Sequence, residues 1–175
     1  MIVKQKPSQD YKAEATKKDM IVLHYTGGGS LSGAEATLAK KDYVNVHYCI
    51  DLNGDIIQYF DDRYWAYHTG TTKADAKRGI GIEIVNWGHL TRKGDALYSW
   101  TGKLIPWVQV VKCNPFRGFE YWQKLTVEQE SALAWLLCVL EKKHNIKRVV
   151  SHAQLKTTKL DYPPDYPQIK NYLRG

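Results

Sequence analysis

The chain has 175 residues, of which 43% are hydrophobic and 25% charged, enough for one globular domain with a core of its own. That balance excludes disordered and fibrous classes. The formal net charge of +7 favours anionic surroundings, whether nucleic acid, a membrane surface or an anionic cell-wall polymer.

Residues 1–18 are polar and lysine-rich without an apolar segment, so no signal peptide is read and synthesis in a cytoplasm is expected. No run has the apolar length to span a bilayer, so no stable membrane insertion is expected. Met20–Tyr25, M-I-V-L-H-Y, ends at Thr26 and three glycines and reads as a buried strand entering a flexible loop. Ser32 to Lys40 suits a short helix with Ser32 as N-cap. Val44–Asp51 and Asp55–Phe60 flank Leu52-Asn53-Gly54, and the Asn-Gly pair predicts a β-hairpin. Tyr64 to Gly70 reads as a loop leading to a short extended piece. Gly79–Val85, G-I-G-I-E-I-V, alternates small or acidic residues with isoleucine and predicts a central strand.

Residues 86–124 are rich in Gly, Trp and Pro without a long helical period. They read as an excursion carrying a hairpin, Ala96–Trp100 against Leu104–Val111, because a structureless loop of that length is unusual. Thr126 to His144 predicts the best helix, with a Thr126/Gln129 capping box and a Leu133, Leu136, Leu137, Leu140 stripe. Val149–Ser151 follows as a strand, then a polar loop to Tyr162 and a short helix after Pro163-Pro164. Strands interleaved with helices place residues 1–175 in the α/β class, as one domain with a central mixed β-sheet flanked by helices. Cys49, Cys113 and Cys138 lack CxxC spacing, so no disulfide framework or cysteine metal site is expected, and Cys49 and Cys138 read as core residues. The basic residues form no block, and no nucleic-acid partner is expected.

Six histidines are present, and position separates two from the rest. His24 ends an apolar strand at a glycine-rich loop. His152 ends V-V-S and opens a loop holding Lys159 and Asp161. Strand ends are where α/β sheets place functional groups, and two histidines plus a carboxylate match the ligand count of catalytic zinc. Glu83 is an acid inside a strand. It is either an edge residue facing water or a cleft carboxylate of raised pKa acting as general base. His47 reads as structural, and His89 and His144 as solvent-facing. The tryptophans of the excursion read as a local mini-core, with Trp87 or Trp107 stacking on ligand as the alternative.

Taken in order, V-L-H-Y-T-G-G-G, V-N-V-H-Y-C-I-D-L-N-G-D-I-I-Q-Y, W-A-Y-H-T-G, I-G-I-E-I-V-N and the closing S-H-(six residues)-K-L-D resemble the type 2 N-acetylmuramoyl-L-alanine amidases. These include phage endolysins and muropeptide-recycling enzymes, and peptidoglycan recognition proteins are similar in fold. The resemblance runs from about Met20 to Tyr172. It implies Zn2+ held by His24, His152 and Asp161, with Glu83 and Lys159 catalytic and His68 near the substrate, beside which Trp87 is the candidate substrate-stacking residue. Two departures stand out. Val46 occupies the position of a tyrosine used in one phage branch, and Asp161-Tyr162-Pro163 replaces D-P-G.

The resemblance further implies a peptidoglycan or muropeptide substrate, cleavage between N-acetylmuramic acid and L-alanine, and a monomer. The positive charge favours an endolysin that reaches the wall after release. A cytoplasmic recycling amidase, an exported toxin and a non-catalytic peptidoglycan-binding module are the alternatives.

Overall fold

Six strands build the central sheet of this computed structural model, which describes residues 1–8, 10–38 and 45–175. They are β1 (Val3–Gln5), β2 (Met20–Tyr25), β3 (Tyr48–Ile50), β4 (Ile56–Gln58), β5 (Gly79–Ile84) and β11 (Arg148–Ser151), in the spatial order β1-β4-β3-β5-β2-β11. Only the β3–β4 hairpin pairs antiparallel, so the sheet is mixed, as expected. Side chains alternate across β2 and β5. Ile21, Leu23, Ile80, Ile82 and Ile84 share a cluster with Leu133, Leu136, Leu137 and Leu140 of helix α3 (Val127–Lys143). Met20, Val22, His24, Gly79, Gly81 and Glu83 fall on the opposite face. One face is the core; the other carries the site.

Helix α3 starts as read: Thr126 Oγ1 accepts the Gln129 N–H at 3.0 Å, and Gln129 Oε1 accepts the Thr126 N–H at 3.1 Å. Its leucine stripe is buried. Helix α1 (Leu31–Leu38) has its N-cap two residues earlier than expected, because Ser30 rather than Ser32 accepts the Gly33 N–H, at 3.2 Å. Ala39, Lys40 and Val44, at the ends of the expected helix and hairpin, lie outside the described residues. The stretch after Gly70 is not extended. Thr72 accepts the Asp75 N–H at 3.1 Å and caps a short helix, α2 (Lys73–Arg78).

The excursion is a second, five-stranded antiparallel sheet made of β6 (His89–Lys93), β7 (Ala96–Tyr98), β8 (Leu104–Ile105), β9 (Val110–Phe116) and β10 (Phe119–Gln123), in the order β8-β7-β6-β10-β9. The expected hairpin is present as β7 with β8. Val110 and Val111, however, pair with Gln123 and Trp122 of β10, because a 3-10 turn at Trp107–Gln109 redirects the chain. The mini-core of this sheet is Leu90, Leu97, Ile105 and Val110, not the tryptophans as expected: Trp87 only packs against it, Trp100 and Trp107 are exposed, and Trp122 is buried in the main core. A four-residue helix, α4 (His152–Leu155), opens what reads as a polar loop. After Pro163-Pro164 the chain makes successive turns rather than a helix, with Tyr166 and Ile169 anchored in the main core. All three cysteines are free; Cys49 and Cys113 are buried, while Cys138 lies on the exposed side of α3 and not in the core.

Candidate metal and catalytic site

Register alone assembles the site. Leu23 of β2 sits opposite Ser151 of β11 and Ile82 of β5, and the next residue, His24, sits opposite Glu83. His152 follows Ser151. Glu83 and His24 therefore sit side by side on adjacent strands, about 4.8 Å apart, and His152 opens α4 at the end of the next strand, at the same level. Asp161 returns to the same point: its Oδ1 accepts the Tyr25 N–H at 3.2 Å, and its Oδ2 lies 3.3 Å from His152 Nδ1.

His24 Nδ1 and His152 Nδ1 face each other at 2.9 Å. His152 Nε2 lies 2.8 Å from the Thr69 carbonyl oxygen. A carbonyl only accepts, so Nε2 carries the proton and Nδ1 presents a lone pair. That lone pair and the Asp161 carboxylate converge with His24 Nδ1, and the three side chains are all buried. With the proton of His24 on Nε2, toward His68 Nδ1, three acceptors meet at one point, an arrangement that a bound cation stabilises. The spacing fits: bonds of about 2.0–2.1 Å in a tetrahedron put donor atoms roughly 3.3 Å apart. The donor set leaves a fourth position open. Burial, then the adjacent His152, His68 and Lys159, hold the pKa of His24 well below its ordinary value, so the ring is neutral and able to ligate.

The strand G-I-G-I-E-I-V makes room behind this group. A Cβ at Gly79 would come 3.0 Å from the His68 ring, and one at Gly81 would come 2.9 Å from His68 Nδ1. The two glycines are a bed for the imidazole, whose Nδ1 is 3.3 Å from His24 Nε2. Burial, Lys18 and His152 push the His68 pKa down to about 3, so it too is neutral. His68 thus lies behind His24, only 7% exposed. It backs His24, the arrangement found behind histidines that bind metal.

Glu83 carries a buried Oε2 without a hydrogen-bond partner among the described residues. Burial first, and then the charge of Asp161, raise its pKa to about 8 against the opposing pull of Lys159. Such a carboxyl exchanges a proton near neutral pH. Lys159 is exposed, and its charge acts on both Glu83 and His24. Tyr162 adopts a left-handed φ of 47° immediately after Asp161, its ring fully buried against Tyr25 and Tyr166. The chain thus turns at a non-glycine residue held in the left-handed region, its ring anchored in the core.

Trp87 packs its indole on Gly29, where a Cβ would come within 2.8 Å of Nε1, and the Lys103 ammonium lies 5.6 Å above its ring. It lines a groove of about 430 Å³ with Gly29, Leu52, Lys103 and Gln123. His47 is structural as read: Nδ1 accepts the Gly81 N–H at 3.1 Å and Nε2 meets the Tyr64 carbonyl oxygen at 3.0 Å. His89 does not face solvent freely, since its Nδ1 is 3.0 Å from the Tyr25 hydroxyl and its ring packs on Phe119. His144 is also not free, with Nε2 3.2 Å from the buried Asp62 carboxylate. Sequence reading missed the Thr69 carbonyl and the Tyr25–His89 contact, which depend on segments remote in the chain.

A family model described as N-acetylmuramoyl-L-alanine amidase matches residues 14–164. No curated protein sequence matches this chain significantly. Among solved structures, a complex of the N-acetylmuramyl-L-alanine amidase AmiD from E. coli with the substrate anhydro-N-acetylmuramic acid-L-Ala-D-gamma-Glu-L-Lys superposes with a TM-score of 0.64 at 23% identity, covering 97% of this chain and 62% of that one. This chain thus spans less than two thirds of the AmiD chain. The N-acetylmuramoyl-L-alanine amidase LysC from Clostridium intestinale matches at TM-score 0.61 and 15% identity over 99% of both chains. PlyL matches at TM-score 0.58 and 16% identity over 89% of this chain and 84% of its own. At these identities the structural likeness establishes the fold.

Proposed function

The chain belongs to the N-acetylmuramoyl-L-alanine amidase family, and from that premise we propose that it cuts the amide between N-acetylmuramic acid and L-alanine with zinc held by His24, His152 and Asp161. The observation that carries this reading is the convergence of His24 Nδ1, His152 Nδ1 and the Asp161 carboxylate beside Glu83 on the next strand. Zinc bound there supplies a Lewis acid that acidifies water and polarises a carbonyl oxygen.

The residues of the chain do the rest. Glu83 accepts the proton of the attacking water and returns it to the departing L-alanine amine. Lys159 places positive charge beside the oxyanion of the tetrahedral intermediate, an interaction worth several kcal/mol in such sites. His68 and the Thr69 carbonyl fix the rings of His24 and His152. Trp87 forms part of the rim on which sugar or peptide rests. No covalent enzyme intermediate is needed.

The net charge of +7 supports action on intact, anionic wall, as an endolysin would act after its release. The likeness to AmiD supports a second reading, in which soluble anhydro-muropeptides are the substrate. Among the described residues no helix is long and apolar enough to cross a membrane. The test is digestion of purified sacculi and of a soluble anhydro-muropeptide by wild type, Glu83→Ala and His152→Ala, with and without chelator. Free L-alanine amino termini should appear only with wild type and metal. Activity that survives in His152→Ala removes the site assignment, and cleavage of the soluble fragment alone replaces the wall-lysing reading with recycling.

A further inference from the structure

The loop that brings Asp161 to His152 has little structure of its own. Between the two ligands run the rest of α4 and five further residues, tied internally by the Lys156 N–H to the His152 carbonyl at 3.0 Å and the Lys159 N–H to the Lys156 carbonyl at 3.0 Å. Asp161 itself is held by the Tyr25 N–H and by a 3.4 Å bond from the Ala153 N–H to its carbonyl. A carboxylate ligand at the end of such a loop needs an outside support to keep its place.

The second sheet supplies one. Strands β9 and β10 are joined through Arg117-Gly118, with φ of 51° and 89° and Phe116 opposite Phe119. Two positive φ values in a two-residue loop define a type I′ hairpin turn, for which Asn-Gly or Gly-Gly is the favoured sequence. An arginine in the left-handed region is the costlier choice, and strain of that kind persists where the surroundings make use of it. Here the guanidinium is in use. Its Nη2 donates to the Ala153 carbonyl at 2.9 Å, and its Nη1 donates to the carbonyls of Lys156, at 3.3 Å, and Lys159. All three acceptors lie between His152 and Asp161. The Ala153 carbonyl is in α4 and that of Lys156 just follows it, where helix carbonyls lack intrahelical partners and positive charge is favourable. The planar fork of an arginine suits several carbonyls at once, which a lysine cannot match.

We infer that Arg117 is a positioning residue for the metal site: the second sheet reaches across and clamps the ligand loop so that Asp161 meets His24 and His152. This rests on the assignment of those three residues as metal ligands. It gives residues 86–124 a role in the site that does not depend on touching substrate.

The experiment uses the full chain and four proteins: wild type, Arg117→Gly, Arg117→Lys and Asp161→Ala. Zinc affinity is measured by competition with a chromophoric chelator, the visible spectrum of the cobalt-loaded protein reports the ligand geometry, and thermal midpoints report the fold. Arg117→Gly suits the turn better and so should keep or raise the midpoint while weakening zinc binding about 10- to 100-fold and altering the cobalt spectrum. Arg117→Lys should recover only part of the affinity. A residue that merely stabilised the fold would show the opposite coupling, with the midpoint lowered and metal binding unchanged. Zinc affinity within twofold of wild type in Arg117→Gly, while Asp161→Ala loses binding, overturns the clamp and leaves the ligand assignment standing. Unchanged affinity in Asp161→Ala overturns the ligand assignment and the clamp with it.

Discussion

Gly81→Ala should weaken the metal site without touching a ligand. The backbone of Gly81 is ordinary strand, so alanine is conformationally acceptable there; the obstacle is contact. The new Cβ would lie 2.9 Å from His68 Nδ1, 3.0 Å from His68 Cγ and 3.0 Å from Val46 Cγ1. Those separations are too short for carbon, and neither neighbour is the free end of a flexible chain. The His68 ring must move, and its Nδ1 now stands 3.3 Å from His24 Nε2. Overpacking of this kind costs about 1–3 kcal/mol of stability. Loss of an outer partner of a metal-bound histidine typically lowers affinity by roughly 10- to 100-fold. Chemical denaturation gives the first quantity and zinc competition against a chelator the second. In a His68→Ala background the same substitution should be milder in both, a coupling that a double-mutant cycle isolates. Wild-type zinc affinity in Gly81→Ala, with the protein folded, would refute the reasoning.

Three further outcomes are expected. Glu83→Gln should retain zinc but lose turnover by about 10²- to 10⁴-fold, measured as free L-alanine amino termini; metal loss in that variant would make Glu83 structural rather than catalytic. Leu136→Ala, on the opposite face of the sheet and 1% exposed, should cost about 2–5 kcal/mol in urea denaturation yet leave zinc affinity of the folded protein unchanged. Lys18 is buried with its ammonium on the carbonyls of Lys77 at 2.7 Å and Gly79 at 3.3 Å, and burial lowers its pKa to about 7. Above pH 7 the unfolded chain holds this proton more firmly than the folded one, so its contribution to stability rises with pH until the ordinary lysine pKa is reached; below 7 the penalty is complete. Wild type should therefore gain on Lys18→Met by about 2 kcal/mol between pH 7 and pH 9, and a pH-independent difference would contradict the lowered pKa.

Residues that act through local pattern were legible before the structure. The apolar run M-I-V-L-H-Y and the alternation of G-I-G-I-E-I-V mark the two strands that carry His24 and Glu83; parallel register then sets the two side by side, on the face opposite the leucines of α3. The helix of Lys73–Arg78 escaped because it lacks an apolar stripe, although Thr72 and Asp75 already spell its cap. Ser30 and Ser32 are indistinguishable as caps until the Gly33 N–H is seen to reach the first of them. Strand β1 is polar and at the sheet edge, where periodicity carries no burial signal. The roles of Gly81, Thr69 and Arg117 were hidden for another reason: each acts on a group 13 or more positions away, through packing or a carbonyl that no motif records.

The central claim is that His24, His152 and Asp161 hold one catalytic zinc. Its most direct measurement is a titration of metal-free protein with zinc, following amide cleavage in a muramoyl-peptide. Cleavage should rise from background in proportion to added metal and level off at one equivalent per chain, with His152→Ala flat throughout. Full activity of the metal-free protein, or recovery in His152→Ala equal to that of wild type, would contradict it.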